Sequence, residues 1–370
     1  MFILKDCLKV YTTDQDKAVP PSETVRRVKA VLDEKCKGVL EETKRVDTGR
    51  LGIPVFLGIC GPAARAVMPT RKQMGKGASA EQAEASALME LVERFSYFSF
   101  WADEGNFVRA TWSEAKQRFG AELMDIAQVL SSVEDGLSPE GAARVLDHVR
   151  WRFHPVLNVA TGREEQVPLD WFKVLNEFNG SSAGNSPEES VLQGACELVE
   201  RHVCARIDKA MPELPTISQE NLADPVLREL CEKFRKNGVE LLLKDFSLGM
   251  PVPTVAAIAY DPKTFPALSE IVYTAGTSST PEKAAIRAVT EVAQLAGDFE
   301  TARVYEASGL PKYTAPEQFD WLRAGPVVSI ESLPSVEDDN ILVELKRLAE
   351  CLLVHGLSII HISPVSYTHL

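Results

Sequence analysis

The pentapeptide Glu-Leu-Val-Glu-Arg occurs twice in this chain, at residues 90–94 and again at 197–201. Extending the register aligns GASAEQAEASALMELVERF with GNSPEESVLQGACELVERH, and a third segment, SSTPEKAAIRAVTEVAQLA, follows the same plan. At about 100° per residue, Ser86, Glu90 and Glu93 share one narrow polar face, opposite an apolar stripe of Leu88, Leu91, Val92 and Phe95. The equivalent positions hold Gln193, Glu197 and Glu200 in the second segment and Arg287, Glu291 and Gln294 in the third. Two readings follow. Each face is the solvated side of its own helix, with Glu90 and Arg94 an ordinary i,i+4 pair. Or the three faces line one cleft, where Glu90, Glu93, Glu197, Glu200 and Glu291 crowd carboxylates that repel unless a cation intervenes. Magnesium suits such a cluster, because it takes one or two carboxylates together with phosphate oxygens and water. Arg201 and Arg287 would then hold phosphates, and Lys76 in GKG either reaches a phosphate or caps its loop. The ligand implied is a magnesium nucleotide.

The elements that must position these side chains are marked in the same segments. Each segment follows Gly-rich loop sequence and places a hydroxyl residue, Ser79, Ser186 or Thr280, where a helix N-cap belongs. Ala80, Pro187 or Pro281 comes next, and then Glu81, Glu188 or Glu282, whose charge complements the helix dipole. Elsewhere, residues 23–36 carry helical spacing after Ser22 as N-cap, and RLGIPVFLGIC reads as a strand entered through Pro54. Helices are expected to start at Ser138-Pro139 and at Asp224-Pro225, the latter stopping at Gly238, with VELLLKDFS and VPTVAAIAYD following as strands. Residues 340–355 read as a helix ended by Gly356, and LSIIHIS begins a strand. The expected organisation is a helix-strand head over 1–60, a core over 61–362, and a truncation or assembly scar over 363–370, in which His369 carries no information.

Composition excludes several classes. Acidic residues outnumber basic ones, 53 to 40, and a net charge of −13 argues against a nucleic-acid partner, which needs a basic surface. Hydrophobic residues at 45% and charged residues at 25% are those of a folded globular protein. No apolar run is long enough to span a bilayer, and MFILKDCLKV is no secretion signal, so no membrane association and a cytoplasmic location are expected. The seven cysteines are scattered without a CxxC and read as reduced, mostly buried thiols. His148, His154, His202, His355 and His361 stand singly and read as structural or surface residues. P-loop, dinucleotide-binding, kinase, HExxH and GxSxG signatures are absent.

In GKGASAEQAEASALMELVERFS, NGSSAGNSPEESVLQGACELVERH and STPEKAAIRAVTEVAQ the sequence resembles the YcaO family of ATP-dependent, amide-activating proteins. The resemblance spans about Gly75 to Gln294, and the tail to Ile362 fits as well. It implies an α+β fold of mixed and antiparallel sheets packed with helices, with the three similar helix starts around one ATP site. Carried over by position, it implies that Glu90, Glu93, Glu197 and Glu200 hold Mg2+, with Ser86, Asn185, Glu189, Arg201 and Arg287 contacting ATP. Lys17 and Ser22 are implied as N-terminal nucleotide contacts, while Gln193 and Gln294 are assigned from their polar faces. The implied chemistry is phosphorylation of a peptide amide oxygen after a nucleophile adds to the carbonyl carbon, giving an azoline with a side-chain nucleophile or a thioamide with sulfide. The chain shows neither a fused leader-recognition domain nor a Pro-rich PxPxP tail, which favours a stand-alone accessory factor for ribosomal-protein methylthiolation. A nucleotide-gated module without turnover is the alternative to an enzyme. The expected partners are a peptide or protein substrate, a modifying enzyme, and a second copy of the chain in a homodimer.

Overall fold

A computed structural model describes residues 3–47, 49–133, 135–265, 271–296, 315–357 and 359–361. The order of elements is α1 (Pro21–Lys35), β1 (Leu40–Arg45), β2 (Val55–Cys60), α2 (Pro62–Val67), β3 (Lys72–Lys76) and α3 (Ala80–Ala102). There follow β4 (Val108–Ala110), α4 (Trp112–Phe119), α5 (Ile126–Ser131), α6 (Pro139–Leu146), β5 (Trp151–Asn158), β6 (Glu164–Pro168) and α7 (Leu169–Asn176). The rest comprises α8 (Pro187–Ala210), β7 (Thr216–Ile217), α9 (Pro225–Lys236), β8 (Glu240–Asp245), β9 (Thr254–Tyr260), β10 (Val272–Thr277), α10 (Pro281–Ala296), α11 (Asp320–Arg323), β11 (Val327–Val328), α12 (Ile341–Val354) and β12 (Ile360–His361). The chain divides into a larger unit, residues 5–95 and 180–348, and a smaller one built on residues 96–179.

The larger unit holds two sheets. One is the antiparallel trio β1-β2-β3; the other runs β10-β9-β8-β7-β11, antiparallel except where β11 lies parallel to β7. Helices α9 and α10 bury Leu227, Phe234, Val289 and Val292 against Leu243, Val255 and Ala257 on one face of the second sheet. Cys204 and Ile207 of α8 pack with Ala256, Ile258 and Tyr273 on the other. A strand covered on both sides needs apolar residues without alternation, which is why VAAIA of β9 is a continuous buried run. The smaller unit is an antiparallel sheet, β12-β5-β4 with β6 on β5, whose core gathers Phe100, Trp112, Phe153 and Leu169.

The fold is α+β with antiparallel sheets packed against helices, as the resemblance implied. Several starts and stops fall where the sequence puts them. Ser138 and Asp224 cap α6 and α9, Gly238 (φ 68°) follows α9, and Gly356 (φ 71°) follows α12. Ser22 does not cap α1. Pro21 occupies the first helical position with Pro20 before it, since proline needs no N–H there and its fixed φ suits the helix; Ser22 lies exposed in the first turn. Strand β1, LEETKR, was not anticipated, because its polar sequence carries no strand signal and only pairing to β2 creates it. The seven cysteines are free, with Cys36 half-buried and Cys351 exposed. No helix among the described residues is long and apolar enough to cross a membrane. The expectation for 363–370 and His369 lies outside the described residues.

Candidate functional site

The site belongs to the larger unit and begins with three helix N-termini. Ser79 Oγ accepts from the Gln82 N–H at 3.2 Å, Ser186 Oγ from Glu189 N–H at 3.2 Å, and Thr280 Oγ1 from Lys283 N–H at 3.4 Å. These caps fix the rotational phase of α3, α8 and α10, so the three polar rows start at equivalent turns.

A second device sets how closely each helix approaches the chain segment ahead of it. A Cβ on Gly75 of β3 would stand 2.1 Å from the Ala87 nitrogen and 2.2 Å from the Ala83 oxygen of α3. A Cβ on Gly276 of β10 would stand 2.4 Å from the Ala284 oxygen and 2.7 Å from the Ala288 nitrogen of α10. At the same spacing in the second repeat, Ser182 Oγ donates to the Ser190 carbonyl at 2.6 Å, and a Cβ on Gly194 would meet Ser182 Oγ at 2.8 Å. Small residues eight and twelve positions apart therefore clamp each helix onto its preceding segment. This signal was present in the sequence, in Gly75-Ala83-Ala87 and Gly276-Ala284-Ala288, but its meaning needs the contact.

With phase and distance set, the polar rows face one another. Burial raises the Glu90 carboxyl, and the charges of Glu291 and Glu197 add to it against Arg94 and Lys76. Glu93 is pushed up to about 8, by burial first and then by Glu197 and Glu90, with Arg94 opposing. Glu200 is pushed up to about 7, by burial and by Glu291, against Arg201, Arg287 and Lys76. Burial also raises Glu197 against Arg201, Arg94 and Arg287. Glu291 differs: burial alone would raise it, but the paired Lys76 ammonium, with Arg201 and Arg287, holds it below the usual carboxylate range. Carboxylates from three sequence-distant helices thus form one electrostatic cluster, which removes the reading of three separately solvated faces.

The cations around them are held unequally. Lys76 pairs with Glu291. Arg94 lies 3.1 Å from Glu93 and donates to Ser181 Oγ at 3.0 Å, while Ser181 donates to Glu93 at 3.1 Å. Arg94 thus pairs with Glu93 and its charge also acts on Glu90, its i,i+4 neighbour; Ser181, from the loop ahead of α8, was missed altogether. Arg201 is exposed and reaches Glu197 and Glu200 only at 3.9 and 3.7 Å. Arg287 donates to Gln193 Oε1 at 2.8 Å, and its Nε is buried without a partner among the described residues.

Gln193 links this cluster to a second network. A cavity of about 30 Å³ is lined by Gln193, Glu189, Lys17, Cys196 and Thr277. Lys17 Nζ lies 3.3 Å from Glu189, whose other oxygen accepts from the Ala18 N–H at 3.0 Å. Asn185 donates to Glu189 at 3.1 Å and accepts from Thr24 Oγ1 at 2.8 Å. Lys17, Asn185 and Glu189 are thereby joined, and Gln193, which holds Arg287, lines the same cavity. Ser86 and Gln294 lie half-buried on the polar rows, one turn from Glu90 and Glu291 respectively. Ser22, exposed on α1, makes no hydrogen bond with this network among the described residues.

The donor set fits Mg2+ with phosphate. Among the described residues, no three metal-binding side chains already form a closed coordination group. Magnesium does not require one, because it takes few carboxylates and completes its shell with phosphate oxygens and water. Burial and mutual repulsion raise the Glu93 and Glu200 carboxyls, which suits them to a dication, and the Arg287 Nε, buried without a partner among the described residues, is a donor suited to an anion.

Comparison with known proteins agrees with this chemistry. The family model for YcaO cyclodehydratases, described as ATP- and Mg2+-binding, matches residues 74–367. An uncharacterised protein of Methanothermobacter thermautotrophicus is 31% identical over 303 residues, covering 75% of this chain and 70% of that one. The Escherichia coli ribosomal protein S12 methylthiotransferase accessory factor YcaO is 28% identical over 222 residues, covering 51% of this chain and 35% of that one. The structure of YcaO from Methanopyrus kandleri bound with AMPPCP and Mg2+ superposes with a TM-score of 0.68 at 25% identity, covering 98% of this chain and 90% of that one. A heterocyclase in complex with substrate and cofactor superposes at 0.71 and 18% identity, a likeness of fold; the match covers 96% of this chain and 51% of the heterocyclase.

Proposed function

This chain belongs to the YcaO family, described as ATP- and Mg2+-binding, and from that premise we propose that the cleft between α3, α8 and α10 binds magnesium ATP and uses it to activate a peptide amide. The observation that carries the reading is the convergence of Glu90, Glu93, Glu197 and Glu200 with Arg201, Arg287 and Lys76. In it, the four glutamates hold Mg2+, and bound Mg2+ supplies the charge that draws phosphate oxygens into an acidic cleft. Arg201 and Arg287 take phosphate oxygens, Arg287 through the Nε that has no partner among the described residues. Lys76 neutralises Glu291 and faces the same charge. Lys17, Asn185, Glu189, Gln193 and Ser86 complete the nucleotide contacts; the exposed position of Ser22 gives it the weakest support.

In the chemistry proposed, a nucleophile adds to the amide carbonyl carbon, the resulting oxygen takes the γ-phosphoryl group as ADP leaves, and that oxygen departs as phosphate. The cleft acts by placing positive charge where the phosphoryl group moves. We assign the chain first to an accessory role in ribosomal-protein methylthiolation, on the strength of its E. coli relative. Azoline or thioamide formation is the alternative within the same chemistry. The test is binding of a fluorescent ATP analogue with Mg2+ to the parent protein and to Glu90→Ala and Glu200→Ala. Each variant should bind at least tenfold more weakly, which is about 1.4 kcal/mol. Equal affinity in all three would end the proposal. Mass spectrometry of candidate peptides then separates the products: loss of water marks an azoline, and exchange of oxygen for sulfur a thioamide.

A further inference from the structure

Residues 9–17 of the larger unit form a loop closed at its base by main-chain hydrogen bonds. The Val10 and Tyr11 N–H groups donate to the Lys17 carbonyl at 2.9 and 3.1 Å, and the Lys17 N–H donates to the Tyr11 carbonyl at 2.9 Å. The tip is tied to the first turn of α10, where Lys283 Nζ donates to the Thr12 and Thr13 carbonyls at 2.7 and 2.6 Å. The remaining limb, Gln15, Asp16 and Lys17, lines the cavity of about 30 Å³ beside Gln193. An ion cluster fixes this limb to α12. Lys9 Nζ lies 2.9 Å from Asp16 and 2.6 Å from Glu344, and the three side chains are 4%, 11% and 0% exposed. Burial alone would lower the Lys9 ammonium, but Glu344 and Asp16 hold it above the ordinary lysine range, so it stays charged between them. The chain around Lys9 is fastened to the start of α12 as well: the Lys9 N–H donates to the Asp339 carbonyl at 2.9 Å, and the Ile341 N–H to the Cys7 carbonyl at 2.8 Å.

Stability does not account for this cluster. Two carboxylates share one ammonium, and Glu344 Oε2 is buried with no partner among the described residues. Desolvation of such a set offsets its attraction, and apolar side chains of similar volume would hold the same elements together at least as well. Apolar packing would not, however, fix a direction. A charged hydrogen bond from Lys9 sets Asp16 at one distance and angle, and the residue after Asp16 is Lys17. Lys17 Nζ lies 3.3 Å from Glu189, and the next N–H, of Ala18, donates to Glu189 at 3.0 Å. A displaced limb would therefore carry Lys17 away from Glu189.

We propose that Lys9, Asp16 and Glu344 are positioning residues for nucleotide binding: anchored on α12, they hold the loop where Lys17 meets both Glu189 and the nucleotide. This inference rests on the proposed nucleotide contact of Lys17, and the effect of the three residues on affinity passes through it. The test is a double-mutant cycle on the full chain, read by anisotropy of a fluorescent ATP analogue with Mg2+. Asp16→Asn cuts the loop from the cluster and leaves Lys9 and Glu344 as a balanced pair, so the fold is spared. Lys9→Met combined with Glu344→Gln removes that pair without leaving either charge alone. Each should weaken binding about fivefold when Lys17 is present and by less than about twofold in Lys17→Ala. Direct electrostatics would act otherwise: loss of the Asp16 charge beside an anionic ligand would tighten binding, equally in both backgrounds. With nucleotide absent, acetylation of Lys17 by acetic anhydride, resolved by mass spectrometry against the exposed Lys35, should be faster in both variants than in the parent protein. Equal changes with and without Lys17, an unchanged affinity in Asp16→Asn, or unchanged Lys17 acetylation would each overturn the assignment and leave the nucleotide cleft standing. A parent protein that binds no nucleotide would instead bring down the proposed function, and this inference with it.

Discussion

Replacing Glu93 by Gln should make the metal-free protein more stable and a poorer ligand for magnesium nucleotide at once. The Glu93 carboxyl, only 15% exposed, is raised from 4.5 to about 8, by burial first and then by Glu197 and Glu90. A folded-state value above the unfolded one means that the native protein binds more protons between those two pH values. The contribution of Glu93 to stability is therefore fully present below pH 4.5 and is lost as pH rises toward 8. Keeping the group neutral three units above its ordinary value costs about 4 kcal/mol at pH 7.5, a ceiling that relaxation of the neighbouring carboxylates lowers. Gln keeps the side-chain oxygen that accepts from Ser181 and has no proton to carry. Between pH 5 and 7.5 the parent protein should thus lose up to about 3 kcal/mol more than Glu93→Gln, a difference of about 1 M in urea midpoint. Urea unfolding of both metal-free proteins at several pH values measures it. With Mg2+ and ATP present, the order should invert, because the variant has lost an anionic ligand. Parallel stability-versus-pH curves for the two proteins would refute the electrostatic account of the cleft.

Three further outcomes follow from the same geometry. Gly276→Ala should cost about 1–3 kcal/mol in thermal unfolding, since its Cβ would stand 2.4 Å from the Ala284 carbonyl oxygen; an unchanged melting temperature would contradict that packing. Mg2+ with an ATP analogue should release protons on binding at pH 6.5 and far fewer at pH 9, because Glu93 and Glu200 must ionise to act as ligands. Calorimetry in buffers of different ionisation enthalpy counts those protons, and equal counts at the two pH values would exclude these carboxyls as ligands. In Lys76→Met, the Glu291 carboxyl should titrate well above its position in the parent protein, as read by carbon-13 NMR of glutamate-labelled samples, and no change would mean that the pair does not form in solution.

The features legible in the sequence were local ones. A hydroxyl residue followed by Pro or Ala and then Glu marks a helix start through the chemistry of four backbone N–H groups, and the caps at Ser79, Ser186 and Thr280 form as written. Helical periodicity likewise places Glu90 and Glu93, or Glu197 and Glu200, on one face whatever surrounds them. The repeat of that pattern, and the family resemblance it carries, could be read without coordinates. Which face meets which could not. It depends on how closely α3 and α10 settle onto β3 and β10, a distance set by Gly75 and Gly276, whose role appears only once the partner atoms are in place. Pairings between distant residues were equally out of reach. Lys76 with Glu291 and Arg94 with Ser181 join segments that only tertiary packing brings together, and long charged side chains choose partners by proximity in space, not along the chain. The raised carboxyls belong to the same class, since burial and summed charge act over the whole cleft. The sequence by itself determined which side chains each helix offers; tertiary structure decided that they face one another, because convergence is a property of packing between elements and not of any one of them.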